Sequence, residues 1–406
     1  MANNFNAEVE MAMTPIGFLK MAQAHNTTLT TVTDKGKQWT ILSYAMTGGQ
    51  GKATFPTTVR GYIDDKNLVQ KVDVTITQDF LGDIRWDAEF SGWKDFGGVK
   101  FPAKIVQRQW HPKIYELNVT DVKVNQPVDL APPAAKGKGG APGGGEKGGP
   151  GGAKGAPAGP AAAKGGPGGP GAAKGGAPAA PTSISEDLGN GAWLVTGGYG
   201  GLVVNFKDYI MLVEGAANDM RMDQVIAEAK RLVPNKPIRY IVNTHFHFDH
   251  TTGLRAAVAN GIPIVTHKDN KGLFEDVMAN SHALVPDELQ GTNPRPKVKL
   301  EYVGDKKVYT DDQNTVELYR IQGSTHNTAM LIVYLPKQKV LLNADEFNVN
   351  AQAPTAPVPM PNGYQVNLLK EVERLKLDVT RHIPVHLPQD GRKVTQQELR
   401  YMAGVK

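Results

Sequence analysis

Between residues 131 and 181 the chain is built almost wholly from Gly, Ala, Pro and Lys in AAKGG-like units, without one bulky apolar side chain. A segment with nothing to bury cannot offset the entropy of ordering its backbone, so a disordered linker is expected here. As a Gly-rich coil it would hold its ends roughly 40 Å apart and let the parts on either side move independently. The 406-residue chain therefore divides into residues 1–130, a linker over 131–181 and residues 182–406. Each outer part is long enough for a core of its own.

The formal net charge of +5 would suit a nucleic-acid partner until the charges are located. Six of the 45 basic residues and one of the 40 acidic ones lie in the linker, leaving 39 of each sign elsewhere. Neutral folded parts lack the concentrated field that phosphate binding needs, so no nucleic-acid partner is expected. The linker lysines are read as solubilising, with weak attraction to an anionic envelope surface as the alternative. Cysteine is absent, which removes disulfides, thiolate metal sites and thiol nucleophiles, and any metal must sit on nitrogen and oxygen. No apolar run reaches the roughly 18 residues of a transmembrane helix. The start MANNFNAEVEMAMTP has neither the basic nor the apolar region of a signal peptide.

Before the linker, KVDVTIT (71–77) and YELNVTDVKV (115–124) alternate apolar and polar residues between Gly, Asp and Pro clusters. They predict a mainly antiparallel β domain after a short helix at 14–25. TGGQGK (47–52) departs from a phosphate-binding loop at Met46 and Ala53. SGWK (91–94) has Ser-x-x-Lys spacing but no following KTG, and is read as a strand end. KDFGGVKFPAKIV (94–106) with DVKVN (121–125) resembles the curved half-barrel domains of bacterial envelope lipoproteins and their carriers. That resemblance implies a bacterial periplasmic or envelope setting if a signal peptide has been removed, and the cytoplasm otherwise.

After the linker, strands alternate with helices. WLVTG, LVVNF and YIMLVEG (193–215) read as strands, 220–233 as an amphipathic helix and IRYIVN (238–243) as a buried strand. Further strands are predicted at 262–266, 298–303, 306–310, 315–321, 329–335 and 339–342, and helices at 268–280, 364–376 and 395–403. This order suits an α/β domain of two packed sheets with helices outside.

NTHFHFDHTTGL (243–254) puts His245, His247, Asp249 and His250 at the end of that buried strand. Imidazole nitrogen and carboxylate oxygen at this density suit zinc at about 2.0–2.2 Å. Phe246 and Phe248, between the ligand types, are expected to pack behind the site. His326, Asp345 and His386 each follow a predicted strand as well. His382 is a rival to His386, but it precedes the strand IPV, whereas the ligand should follow it. His267 is read as a packing or capping residue, and His25, His111 and His282 as surface residues.

The order HxHxDH, His, Asp, His resembles the metallo-β-lactamase superfamily over residues 183–406. The resemblance implies an αββα sandwich and two zinc ions, with iron as the alternative. His245, His247 and His326 would bind one ion, Asp249, His250 and His386 the other, and Asp345 would bridge them. Leu387 and Pro388 stand where glycine usually follows the last histidine. Asn348 stands where true β-lactamases of several subclasses carry a lysine. The aspartate bridge is closer to the esterase, thioesterase and lactonase branches.

The expected activity is zinc-dependent hydrolysis, in which a metal-bridged hydroxide attacks the acyl bond of a lactone, ester, thioester or β-lactam. Asp249 would be catalytic, orienting the nucleophile and shuttling its proton. Tyr199, in the hairpin tip GGYGG (197–201), Asn327 and Asn348 are the candidate contacts to a small-molecule substrate, and the Pro-rich loop 351–363 would wall the pocket. A mononuclear-iron persulfide-type oxidoreductase on the same fold is one rival. A lipid- or partner-binding envelope protein with a vestigial metal domain is another.

Overall fold

The computed structural model describes residues 4–34, 36–50, 53–127, 184–214 and 217–406. The expected linker, 131–181, lies outside them.

The N-terminal part begins with two helices, α1 (Asn4–Ala12) and α2 (Pro15–Ala24), where one was expected. Thr14 separates them: its hydroxyl accepts the Gly17 N–H at 3.1 Å and Pro15 fills the first helical position. Seven antiparallel strands follow in sequential order, β1 (Thr28–Asp34), β2 (Lys37–Gln50), β3 (Ala53–Ile63), β4 (Val69–Gln78), β5 (Gly82–Phe96), β6 (Val99–Gln109) and β7 (Lys113–Asn118). Phe18 of α2 packs with Tyr44, Val59, Val72, Val74 and Ile84 of the sheet. Ser91 to Lys94 run inside β5 rather than ending it. The strand expected over 115–124 stops at Asn118, because β7 is an exposed edge with nothing to bury beyond it.

The C-terminal part holds two sheets. The first contains β8 (Ser185–Gly189), β9 (Ala192–Val195), β10 (Gly201–Asn205), β11 (Ile210–Val213), β12 (Ile238–Val242), β13 (Ile264–His267) and β14 (Leu300–Val303), side by side in that order. It is antiparallel up to β11 and parallel beyond. Its crossovers carry α3 (Asp219–Leu232), α4 (Phe248–Thr251), α5 (Leu254–Ala259), α6 (Lys271–Ala279) and α7 (Glu288–Gly291). The second sheet contains β15 (Lys306–Thr310), β16 (Thr315–Arg320), β17 (Leu331–Leu335), β18 (Val340–Asn343), β19 (Arg381–Pro384) and β20 (Val394–Thr395), with α8 (Gly363–Arg374) and α9 (Gln396–Met402).

Period-two alternation explains the layering. Leu202, Val204, Met211, Val213 and Val242 face the second sheet, while Val203, Ile210, Leu212 and Ile241 face the helices α3, α5 and α6. Both sets are fully buried, so the apolar runs of β10 to β12 are those of a sheet covered on both sides. The expected αββα sandwich is present.

The two folded parts touch directly: the described residues up to Asp121 and those from Ile184 onward belong to one compact unit. Phe80, between β4 and β5, is 6% exposed and meets Phe274 of α6 edge to face at 5.8 Å. These contacts speak against the independent movement expected from the linker. No described helix is long and apolar enough to cross a membrane.

Candidate metal centre

All seven residues of the expected ligand set come together at one edge of the sandwich. Each sits where a strand gives way to a loop. His245 and His247 follow β12, and Asp249 and His250 lie on the short α4 after them. His326 lies between β16 and β17, Asp345 two residues after β18 and His386 two residues after β19. β18 and β19 are parallel neighbours, with Asn343 opposite Pro384, which brings Asp345 and His386 out at the same end.

The ligand atoms form two groups. His245, His247, His326 and Asp345 each offer an atom within 4.8 Å of the others, and so do Asp249, His250 and His386. Asp345 faces both groups. Its Oδ2 lies 3.5 Å from His245 Nε2 and 3.0 Å from His326 Nε2, while its Oδ1 lies 3.4 Å from His250 Nε2 and 3.0 Å from His386 Nε2. Asp249 Oδ2 closes the second group at 3.3 Å from His386 Nε2 and 3.5 Å from His250 Nε2. His382 is absent from both groups. It is buried, bonds Gln396 at 2.6 Å and packs on Phe347.

A second layer of contacts fixes the rings. Glu214, which the sequence reading passed over, directly follows β11 and is buried. Its Oε2 lies 3.0 Å from His250 Nδ1 and its Oε1 accepts the Thr244 N–H at 2.6 Å. The residue adopts φ +54°, unusual for a side chain of this size. An acid closing the apolar run YIMLVE was the signal available in the sequence. Thr244 Oγ1 lies 3.1 Å from His245 Nδ1, and Asn243 donates to the His250 carbonyl at 3.0 Å. On the facing loop, Ser324 Oγ accepts the N–H groups of His326 and Asn327 and bonds Glu346.

Burial pushes the His245 pKa down to about 4, leaving a neutral ring. Burial also presses on His250, but Glu214 and Asp345 outweigh it and raise that ring to about 10. The Asp249 and Asp345 carboxylates beside it raise His386 to about 9. Burial would lift Asp345, yet the surrounding His245, His250, His326 and His386 hold its carboxyl far below the usual range. Buried carboxylates thus draw positive charge into the space between the rings. His250 Nε2 and Asp345 Oδ1 are buried there without a hydrogen-bond partner among the described residues. Nitrogen and carboxylate donors in groups of four and three, with unpartnered atoms facing inward, fit divalent metal ions.

The rim departs from the sequence reading. Phe246 and Phe248 do not pack behind the site: they are 36% and 71% exposed, because the alternation of β12 ends at Val242 and α4 turns Phe248 outward. Tyr199 comes to the site, its ring 5.1 Å from that of His386 and 6.3 Å from that of His250. Asn327 is buried, with its Oδ1 accepting the Ala329 N–H, while Asn348 is exposed. The loop 351–363 bonds away from the centre, Val358 N–H to the Tyr401 carbonyl at 2.9 Å. Just past its end, Tyr364 meets His326 edge to face at 5.4 Å. His267 caps the turn after β13, accepting the Asp269 N–H at 3.2 Å. His282, expected at the surface, is only 2% exposed.

Residues 202–386 match the family model described as the metallo-beta-lactamase superfamily. The chain is also similar to several solved structures. A metallo-beta-lactamase from Pontibacter korlensis is 17% identical with a TM-score of 0.42, the match covering 55% of this chain and 97% of that one. A metallo beta lactamase from Hirschia baltica is 21% identical with a TM-score of 0.40, covering 54% and 96%. The mono-zinc form of FIM-1 from Pseudomonas aeruginosa is 18% identical with a TM-score of 0.38, covering 54% and 93%. The match to the metallo-beta-lactamase superfamily model spans the strands and loops that carry all seven candidate ligands.

Proposed function

We propose that the protein is a binuclear zinc hydrolase that cleaves an acyl bond in a small molecule. The observation that carries this reading is Asp345, whose two carboxylate oxygens each face a different group of imidazoles. When bound, two zinc ions would polarise the acyl carbonyl and bring the pKa of a shared water to about 7.

The chain's own residues supply the rest. Glu214 fixes the His250 ring through Nδ1, which leaves Nε2 turned toward the metal space. Asp249 is partly open to solvent, its side chain 18% exposed, and its Oδ2 sits beside His250 and His386. There it can orient a water, take its proton and return that proton to the leaving group. Tyr199 and Tyr364 border the centre on opposite groups, next to His386 and His326 respectively, and would limit the bulk of the acyl group. Position 348 carries an amide rather than a cation, so a substrate carboxylate gains no ion pair there. That favours a lactone, ester or thioester over a β-lactam.

The test is a side-by-side hydrolysis panel of an acyl lactone, a thioester, a cephalosporin and a phosphodiester on zinc-loaded protein, with elemental analysis of the protein as purified. Faster turnover of the lactone or thioester with close to two zinc ions per chain is expected. Native iron together with oxygen consumption on a persulfide would replace the hydrolase reading with the oxidoreductase one.

A further inference from the structure

The β4–β5 hairpin of the N-terminal sheet turns through 79–81, and Gly82 and Asp83, which open β5, lie against the segment 280–284 of the C-terminal part. The Asp83 carboxylate accepts from Ser281 Oγ at 3.0 Å, from the Ala283 N–H at 2.6 Å and from the Leu284 N–H at 3.2 Å. Its own N–H donates to the Ser281 carbonyl at 2.7 Å. In return Asn280 Nδ2 donates to the carbonyls of Leu81 at 2.5 Å and Asp83 at 3.2 Å. Gly82 has φ +76°, and a Cβ there would stand 2.3 Å from the Ser281 carbonyl oxygen, so only glycine lets the two backbones approach this closely.

The same segment holds a buried cation. Arg255 is fully buried in α5, which begins at Leu254, three residues after the α4 turn that carries Asp249 and His250. Its guanidinium pairs with Asp287 and donates to the carbonyls of Val277 at 3.1 Å, Met278 at 3.4 Å and Asn280 at 3.5 Å. Asn280 is therefore common to both sets, its carbonyl bonded to Arg255 and its amide to the N-terminal hairpin. A buried guanidinium with fixed partners cannot shift without leaving charge unpaired, so it holds the start of α5 where 277–287 puts it.

We infer that the N-terminal sheet positions the metal ligands. Asp83 holds 280–284, and that segment together with Asp287 holds Arg255 at the base of the ligand loop. Asp83 is a positioning residue; it touches neither metal nor substrate. The inference rests on the zinc-hydrolase reading only for what the ligands hold and do.

The test uses the full chain with Asp83→Ala, Asp83→Asn and Ser281→Ala, read by hydrogen exchange at 277–287 and 248–259, by zinc affinity in competition with a chelator, and by kcat and KM. In Asp83→Ala, faster exchange is expected at both segments. Zinc binding should weaken about tenfold, at the low end of what outer-shell changes produce, and kcat should fall while KM holds. Asp83→Asn, which keeps one carbonyl acceptor, should recover part of each change. If exchange rises at 277–287 while 248–259 and zinc affinity stay native, the seam only attaches the sheet and the inference is wrong. Should Asp83→Ala not fold, Ser281→Ala removes one bond across the seam, together with the Ala283 N–H bond to the same hydroxyl, and is read by the same criterion. Exchange and zinc affinity need no substrate, so a chain that binds zinc but hydrolyses no acyl compound would remove the hydrolase reading without deciding this one.

Discussion

At the scale of single residues, Asp345 and Glu214 divide the work of the centre between holding ions and holding ligands. Among the described carboxylates, Asp345 is the one that faces both groups. Asp345→Asn keeps its shape and removes its charge, so zinc content after dialysis should drop from about two per chain to about one or fewer. Hydrolysis should fall at least about 100-fold, since the shared water depends on both ions. Glu214 acts one bond further out, and a left-handed backbone costs a residue of its kind roughly 1–2 kcal/mol. The engagement of both its carboxylate oxygens offsets that strain. Glu214→Gln should weaken zinc binding about 10–100-fold with the fold intact, as shown by chelator competition beside circular dichroism. The two residues differ in legibility for a physical reason. Asp345 belongs to a spaced set of ligand types, whereas Glu214 is a lone acid whose partners lie 30 and 36 positions away.

At the scale of elements, strands buried on both faces were the most readable, because β10 to β12 are short apolar runs between turn residues. The edge strand β8, with no fully buried residue, offered no such pattern. Phe246 and Phe248 were misread because strand alternation was carried into a loop that had already turned into α4. The hairpin tip at 197–200 was legible as a turn, but what steadies it was not. Arg221 of α3 is buried and donates to the carbonyls of Val195 at 3.2 Å, Thr196 at 3.0 Å and Tyr199 at 2.9 Å. One guanidinium thus anchors the segment that carries Tyr199 to the metal groups. Arg221→Lys retains the charge but loses the planar fork, leaving buried carbonyls short of a donor at about 1–3 kcal/mol each. A lower melting temperature and faster hydrogen exchange at 195–201 are expected. KM should rise more than kcat falls, because Tyr199 borders the substrate space.

At the scale of the whole molecule, the expected linker suggested two separate parts and concealed the contact between them. The seam is made by Phe80, Gly82 and Asp83 against residues 274–284. Nothing in either local stretch announces the other. His282 sits in this seam and makes it sensitive to acid. Burial, with Arg255 nearby, pushes its pKa from the ordinary 6.5 down to about 4, although Asp287 and Asp83 pull the other way and Arg295 adds to the fall. Its Nδ1 lies 3.1 Å from Asp287 and its ring packs under Gly82. His382, buried in the second sheet, is pushed down to about 4 by burial as well. In the unfolded chain both rings bind a proton near pH 6.5, and in the folded chain they resist until about pH 4. Between those values the unfolded state therefore holds more protons, and stability declines as the pH falls. Each group contributes at most about 1.4 kcal/mol per pH unit. Above pH 6.5 both states are neutral at these rings and the dependence from them vanishes. In thermal unfolding of the full chain, the contribution of these two rings to the melting temperature should be level from pH 7 to 8 and fall from pH 6.5 toward pH 4.5. His282→Gln, which cannot take up a proton, should flatten part of that decline. A decline of unchanged slope in the variant would mean that His282 takes its proton in the folded state too.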